Sequence, residues 1–139
     1  MQLSPQDMVS CDFSNGGCGS GGYLTPSLIY LISNGLVEEG CLKYVGTTGM
    51  CMYQCDISTT PYRKYSCQVG SMKLPTSYDD IMLELMTNGP LMVGFTIYQD
   101  FMSYKNGIYE HVTGNVAGGH AVKLIGWNYD ANARLYWIC

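Results

Sequence analysis

Charge is scarce in this chain of 139 residues, with 13% Asp, Glu, Lys and Arg, about half the usual share. The balance is acidic, −4 at pH 7, and no Lys/Arg cluster stands anywhere. That excludes a nucleic-acid surface. No apolar run approaches the roughly 18 residues that a membrane-crossing helix needs. Internal repeats and low-complexity segments are absent. Histidine is nearly absent too, with two copies. Cys51-x-x-x-Cys55 has a spacing that zinc accepts, but no second close pair matches it, so zinc is the weaker reading beside disulfide bonding. Met1–Pro5 shows neither the basic nor the apolar region of a signal peptide.

What the chain does have is apolar residues (47%), seven cysteines, 17 glycines and 12 tyrosines. This supports a real core built from strands, turns and loops more than from a helical bundle. Such cysteine density favours an oxidising compartment and a disulfide framework. The odd count leaves at least one thiol free or bonded outside these residues. An oxidising address and no leader are compatible if the sequence begins inside a longer precursor.

Local signals place helices first and β structure after. Ser4, Pro5 and Asp7 suit the start of a helix over 4–10, followed by a glycine-rich loop at 11–22. Thr25 and Pro26 open a second helix that Asn34-Gly35 ends. Residues 36–76 lack periodicity and hold Cys41, Cys51, Cys55 and Cys67, so crosslinks stand in for a core there. Ser77 opens a helix over 78–86, with Asp79 and Asp80 at its positive end, and Asn88-Gly89-Pro90 closes it. Strands are expected at 91–98, 107–112, 119–127 and 134–139, spaced as in an antiparallel sheet or barrel.

The densest chemical signal is Gly118-Gly119-His120-Ala121-Val122, running into Lys123-Leu124-Ile125-Gly126-Trp127. The apolar run reads as a buried strand, with glycines that let a ligand approach the backbone. On such a strand His120 is either a hydrogen-bonded core residue or a group that moves protons near neutral pH. His111, at a strand end, reads as a structural hydrogen-bonding residue.

Several segments in order resemble the papain-like cysteine proteases, most closely the cathepsin B-like branch. They are Leu3-Ser4-Pro5-Gln6-Asp7-Met8-Val9-Ser10-Cys11, Gly17-Cys18, Gly21-Gly22-Tyr23, Asn88-Gly89-Pro90, Tyr98-Gln99-Asp100-Phe101, Tyr104-Lys105-Asn106-Gly107-Ile108-Tyr109, His111-Val112-Thr113-Gly114, Gly118-Gly119-His120-Ala121 and Leu135-Tyr136-Trp137-Ile138. The resemblance spans nearly the whole chain. It implies an α+β, two-domain papain-like fold with a cleft between its halves. Residues 1–139 then form a partial peptidase domain: 1–35 the end of the helical half, 36–76 a disulfide-rich loop region, and 77–139 most of the antiparallel, barrel-like β half.

The resemblance also implies the chemistry. In the family a cysteine thiolate attacks the scissile carbonyl, and a histidine pairs with the thiolate and then protonates the leaving amine. An asparagine orients that histidine, and a glutamine and a backbone N–H hold the oxyanion. His120 takes the histidine's place. The nucleophile is expected roughly 130–150 residues before the histidine, upstream of Met1 and with the glutamine before it, while the asparagine is expected just beyond Cys139. Residues 1–139 alone are therefore expected to be inactive. Gly21 and Gly22 match the glycine pair that hydrogen-bonds an extended peptide, although Gly19-Ser20 lengthens their loop by one residue. Tyr23, Gly94, Gly119 and Ala121 fall at further substrate contacts. The disulfides implied are Cys11–Cys51 and Cys41–Cys55, with Cys18 bonding the remainder of the precursor. Cys139 falls at a core position at the end of the strand expected beside that of His120.

Residues 41–67 are shorter than the family's histidine-bearing, exopeptidase-conferring loop and contain no histidine. A cysteine-type endopeptidase acting on peptide or protein substrates without a cofactor is thus the expectation, in a lysosome, a vacuole or secreted. The alternative is a non-catalytic relative, a structural or interaction protein that keeps the fold.

Overall fold

The computed structural model describes residues 1–139 as two compact units, Met1–Lys73 and Leu74–Cys139. In the first, α1 (Pro5–Cys11) starts where Ser4 Oγ accepts the Asp7 N–H at 3.1 Å. Proline at the first helical position has no N–H to leave unpaired. A single turn, α2 (Gly17–Ser20), interrupts the expected loop. Its glycines are poor helix formers, but Thr48 Oγ1 accepts the Cys18 N–H at 2.8 Å and so pairs one of the amides left free at the start of the turn. The third helix, α3 (Leu24–Ser33), starts one residue before the expected cap, on Tyr23 and without a side-chain cap. Pro26 still falls in its first turn, where no intrahelical donor is needed. Beyond its end Gly35 adopts φ +69°, and a Cβ there would meet the Tyr65 carbonyl oxygen at 2.6 Å, so glycine is required twice over.

After α3 the first unit is irregular, as its sequence suggests, and two bridges, Leu3 with Glu38 and Leu36 with Tyr65, are its only β pairing. Side chains replace the ladder. The Asp7 carboxylate accepts the Val37 N–H at 2.9 Å, Gln6 Oε1 the Val45 N–H at 2.9 Å, and Asp56 the Lys43 N–H at 3.1 Å. Val37, Cys41, Leu42 and Cys55 form a small buried cluster with Tyr62 packed against it. Disulfides join Cys11 to Cys51 and Cys41 to Cys55, while Cys18, Cys67 and Cys139 are free and exposed. Cys51 and Cys55 are thus oxidised into separate crosslinks, which rules out the zinc reading of their spacing.

The second unit opens with α4 (Tyr78–Asn88), capped by Ser77 Oγ on the Asp80 N–H at 3.1 Å. Antiparallel strands β1 (Leu91–Tyr98) and β2 (Val116–Leu124) form one ribbon. Strands β3 (Gly126–Tyr129) and β4 (Leu135–Ile138) form another. These are two separate two-stranded sheets, and they do not close into a barrel. The strand expected at 107–112 does not form. Its end is claimed by a carboxylate: Asp100 Oδ2 accepts the N–H groups of Val112 at 2.8 Å and Thr113 at 3.1 Å. Between β1 and that segment lies a 3-10 turn, Gln99–Ser103. No helix is long and apolar enough to cross a membrane.

Candidate active site

His120 stands in the middle of β2, directly opposite Phe95 on β1. The expectation of a buried strand is corrected here: His120 is exposed, and of the whole ribbon only Ile97 and Leu124 are buried. The apolar run was misleading because the ribbon is a single layer two strands wide, with no third strand hydrogen-bonded to it. The imidazole packs on rings instead. Phe95 meets it edge-on with centroids 5.7 Å apart, and Phe101 lies at 5.8 Å, tilted by 53°. Such separations are favourable for aromatic pairs.

The backbone beside His120 is bare. Neither Gly118, at φ +151°, nor Gly119 has any heavy atom within 4 Å of where a Cβ would stand. Ala121 pairs across the ribbon with Gly94, so two of the smallest side chains face each other there. Strand alternation puts that pair on the opposite face from His120 and Phe95. The structure therefore puts Gly94, Gly119 and Ala121 on one face of the ribbon and His120 on the other.

In the first unit, Gly21 (φ +71°), Gly22 and Tyr23 are all exposed. No heavy atom lies within 4 Å of a Cβ position at Gly21. At Gly22 a Cβ would meet the Asn15 side chain at 2.6 Å. Asn15, which no sequence pattern marks, organises this loop. Its Oδ1 accepts the Tyr23 N–H at 2.7 Å, and its Nδ2 donates to Asp12 Oδ2 at 2.6 Å and to Ser27 Oγ at 3.0 Å.

Asp100 is the second residue missed: its segment, Tyr98-Gln99-Asp100-Phe101, carries the family resemblance, but nothing in it pointed to a role for the carboxylate. Besides the two backbone donors it accepts the Tyr109 hydroxyl at 2.6 Å and faces His111 Nδ1 at 3.3 Å. The Tyr109 hydrogen bond above all, then the Val112 and Thr113 amides and His111, hold the Asp100 carboxyl well below the usual carboxylate range against the effect of desolvation. Desolvation, then the hydrogen bond to Asp100 and after it the Asp100 charge, push the Tyr109 hydroxyl up to about 12. His111 is stacked on Tyr98 with centroids 3.7 Å apart, which gives it a structural place in this loop.

Cys139 does not neighbour the His120 strand, because β4 pairs with β3 and not with β2. Desolvation pushes its thiol up, away from the thiolate that a nucleophile needs.

The description Papain family cysteine protease fits residues 1–139 in full. Among curated relatives, Cathepsin B-like protease 1 of Arabidopsis thaliana is 34% identical over 99% of this chain and 40% of its own length. Cathepsin B-like CP3 of Giardia intestinalis is 36% identical over 99% of this chain and 47% of its own. The solved structure of proCathepsin B S9 from Trypanosoma congolense superposes with a TM-score of 0.83 at 30% identity, over 97% of this chain and 48% of that one. The chain thus spans a little under half the length of these relatives. With its α+β architecture of helices and antiparallel ribbons, the chain belongs to the papain family of cysteine proteases.

Proposed function

We propose that this chain supplies the acid–base histidine, His120, of a cysteine-type endopeptidase. The observation that carries the reading is the exposed imidazole at the centre of β2, flanked by Gly118, Gly119 and Ala121 and packed against Phe95 and Phe101. An accessible imidazole on a regular strand has the fixed position that general acid–base catalysis requires.

In this reading His120 pairs as imidazolium with a cysteine thiolate that lies outside these residues. The thiolate forms an S–C bond to the scissile carbonyl carbon. As the C–N bond breaks, His120 gives its proton to the leaving amine, and a thioester remains. Neutral His120 then takes a proton from water, whose oxygen forms the new C–O bond as the C–S bond breaks, releasing the carboxylic acid product and restoring the thiolate–imidazolium pair. Gly21, Gly22 and Tyr23 in the first unit, and Gly94, Gly119 and Ala121 in the second, are the substrate contacts that the family resemblance implies for each. At Gly21, Gly94 and Gly119 no side chain stands between backbone and substrate.

Residues 1–35 are the end of the helical half, 36–76 a disulfide-rich loop region and 77–139 most of the β half. Exposed Cys18 bonds the rest of the precursor. Two disulfides favour an oxidising compartment, lysosomal, vacuolar or extracellular. An epoxide that alkylates papain-type thiolates tests the reading. It should label the native protein at one cysteine and abolish peptide hydrolysis, whereas residues 1–139 alone should neither label nor hydrolyse. A native protein that neither labels nor hydrolyses peptides would be a non-catalytic relative.

A further inference from the structure

We infer that Phe101 is a positioning residue for the His120 imidazole, locked in place by the Asp100 carboxylate. This rests on the reading of His120 as the acid–base group. Phe95 and Phe101 are themselves edge-to-face, with centroids 5.7 Å apart, and each lies within 6 Å of the imidazole. Two rigid rings thus flank a third. They restrict the rotation of an exposed side chain without competing for its nitrogens, which stay available for proton transfer. Strand pairing fixes Phe95, because it stands directly opposite His120 in the ladder. Phe101 has no ladder to hold it, since it sits in the 3-10 turn after β1.

A clamp around that turn replaces the ladder. Phe101 meets Tyr109 edge-on at 4.9 Å and stacks on Tyr104 at 5.7 Å. Tyr109 donates its hydroxyl to Asp100 at 2.6 Å, and Asp100 also takes the Val112 and Thr113 amides. On the other side of the turn the Gln99 N–H donates to the Asn115 carbonyl at 3.0 Å, and Gln99 Oε1 accepts the Asn115 N–H at 3.2 Å. The turn therefore cannot slide along β2 without breaking several hydrogen bonds together. The register of the ribbon shifts between Ile97 and Tyr98, and such irregularities redirect side chains at a strand end. One residue of the turn, Phe101, reaches the imidazole, and its neighbour Asp100 fastens the loop that follows.

The test uses the native protein with Phe101→Leu, Phe101→Tyr and Asp100→Asn. Each is measured for kcat and KM on a peptide amide, and the His120 ring protons are observed by carbon-edited NMR. Phe101→Leu should lower kcat by on the order of tenfold or more while KM changes by less than about twofold. It should also move the His120 ring protons as one ring current is lost. Phe101→Tyr, which keeps the ring, should restore both. Asp100→Asn should shift the same His120 signals, and it serves as the second variant if Phe101→Leu does not fold. Unchanged kcat and His120 signals in Phe101→Leu, or unchanged His120 signals in Asp100→Asn, would overturn the inference. The underlying reading fails differently: His120→Gln would then retain activity, whatever Phe101 does.

Discussion

Removing the Asp7 carboxylate should cost the first unit about 3 kcal/mol. Asp7 is fully buried, and its side chain joins two segments distant in sequence. It accepts the Val37 N–H at 2.9 Å and the Lys64 ammonium at 3.2 Å. Lys64 in turn donates to the Tyr30 hydroxyl at 3.2 Å on α3. Breaking a buried ion pair by deleting one member typically costs about 3–5 kcal/mol. The lower end applies to Asp7→Ala, because Lys64 is 20% exposed and can turn toward water. Lys64→Met should cost more, since it leaves the Asp7 charge buried with no cation. In the double variant the two losses should not add, and the coupling should exceed about 1 kcal/mol.

Urea unfolding of the four proteins gives the free energies, and hydrogen exchange at the Val37 amide reports the local loss. Alkaline titration adds a check of sign. Burial opposes the Lys64 charge, but hydrogen bonding to Tyr30 and the Asp7 charge outweigh it and raise its pKa above the ordinary 10.5. The contribution is therefore complete below 10.5 and lost as pH rises through the folded value. An Asp7→Ala cost below about 1 kcal/mol, or no coupling in the cycle, would refute this account.

The disulfides should differ in worth with the loops they close. Separations of 40 residues for Cys11–Cys51 and 14 for Cys41–Cys55 correspond to about 4 and about 3 kcal/mol of chain entropy. Paired Cys→Ser variants measured in urea should keep that order, and a reversed order would contradict it. The Asp100 clamp should hold at acidic pH. Its carboxyl lies below the ordinary 3.8, so its contribution is complete above that value and is lost only as pH falls through the lower folded one. At the other extreme Tyr109, pushed up to about 12, contributes fully below 10 and progressively less as pH rises toward 12. Hydrogen exchange at the Val112 and Thr113 amides should stay slow from neutrality down to about pH 4, and fast exchange already at pH 5 would contradict the clamp.

Elements with local punctuation were legible. Ser4 with Pro5, and Ser77 with Asp80, started helices by a side-chain oxygen on a backbone amide, a device written into adjacent residues. The strand over 91–98 formed as expected because its flanking signals were equally local. What failed depended on a distant partner. Gly107–Val112 has strand composition, yet its last amide goes to Asp100, twelve residues away from Val112. Thr48 in the same way ties down a turn at Gly17–Ser20, thirty residues from Cys18. His120 was legible as a chemical group through its glycines, but its exposure was not, since an apolar run does not reveal how many strands lie beside it. Asn15 carries no motif, and Asp100 and Phe101 stand in a segment that marks the family without assigning either a role, so their roles arise only from the loops folding back on them.

The central claim is that His120 moves the proton in peptide hydrolysis. The direct measurement is kcat/KM of the native protein and its His120→Ala variant on a peptide amide, with circular dichroism to show that both are folded. General acid–base catalysis is worth on the order of 10²–10⁴-fold. A loss of that size in a folded variant is the result predicted, and a variant that keeps activity within about tenfold of the native protein would contradict it.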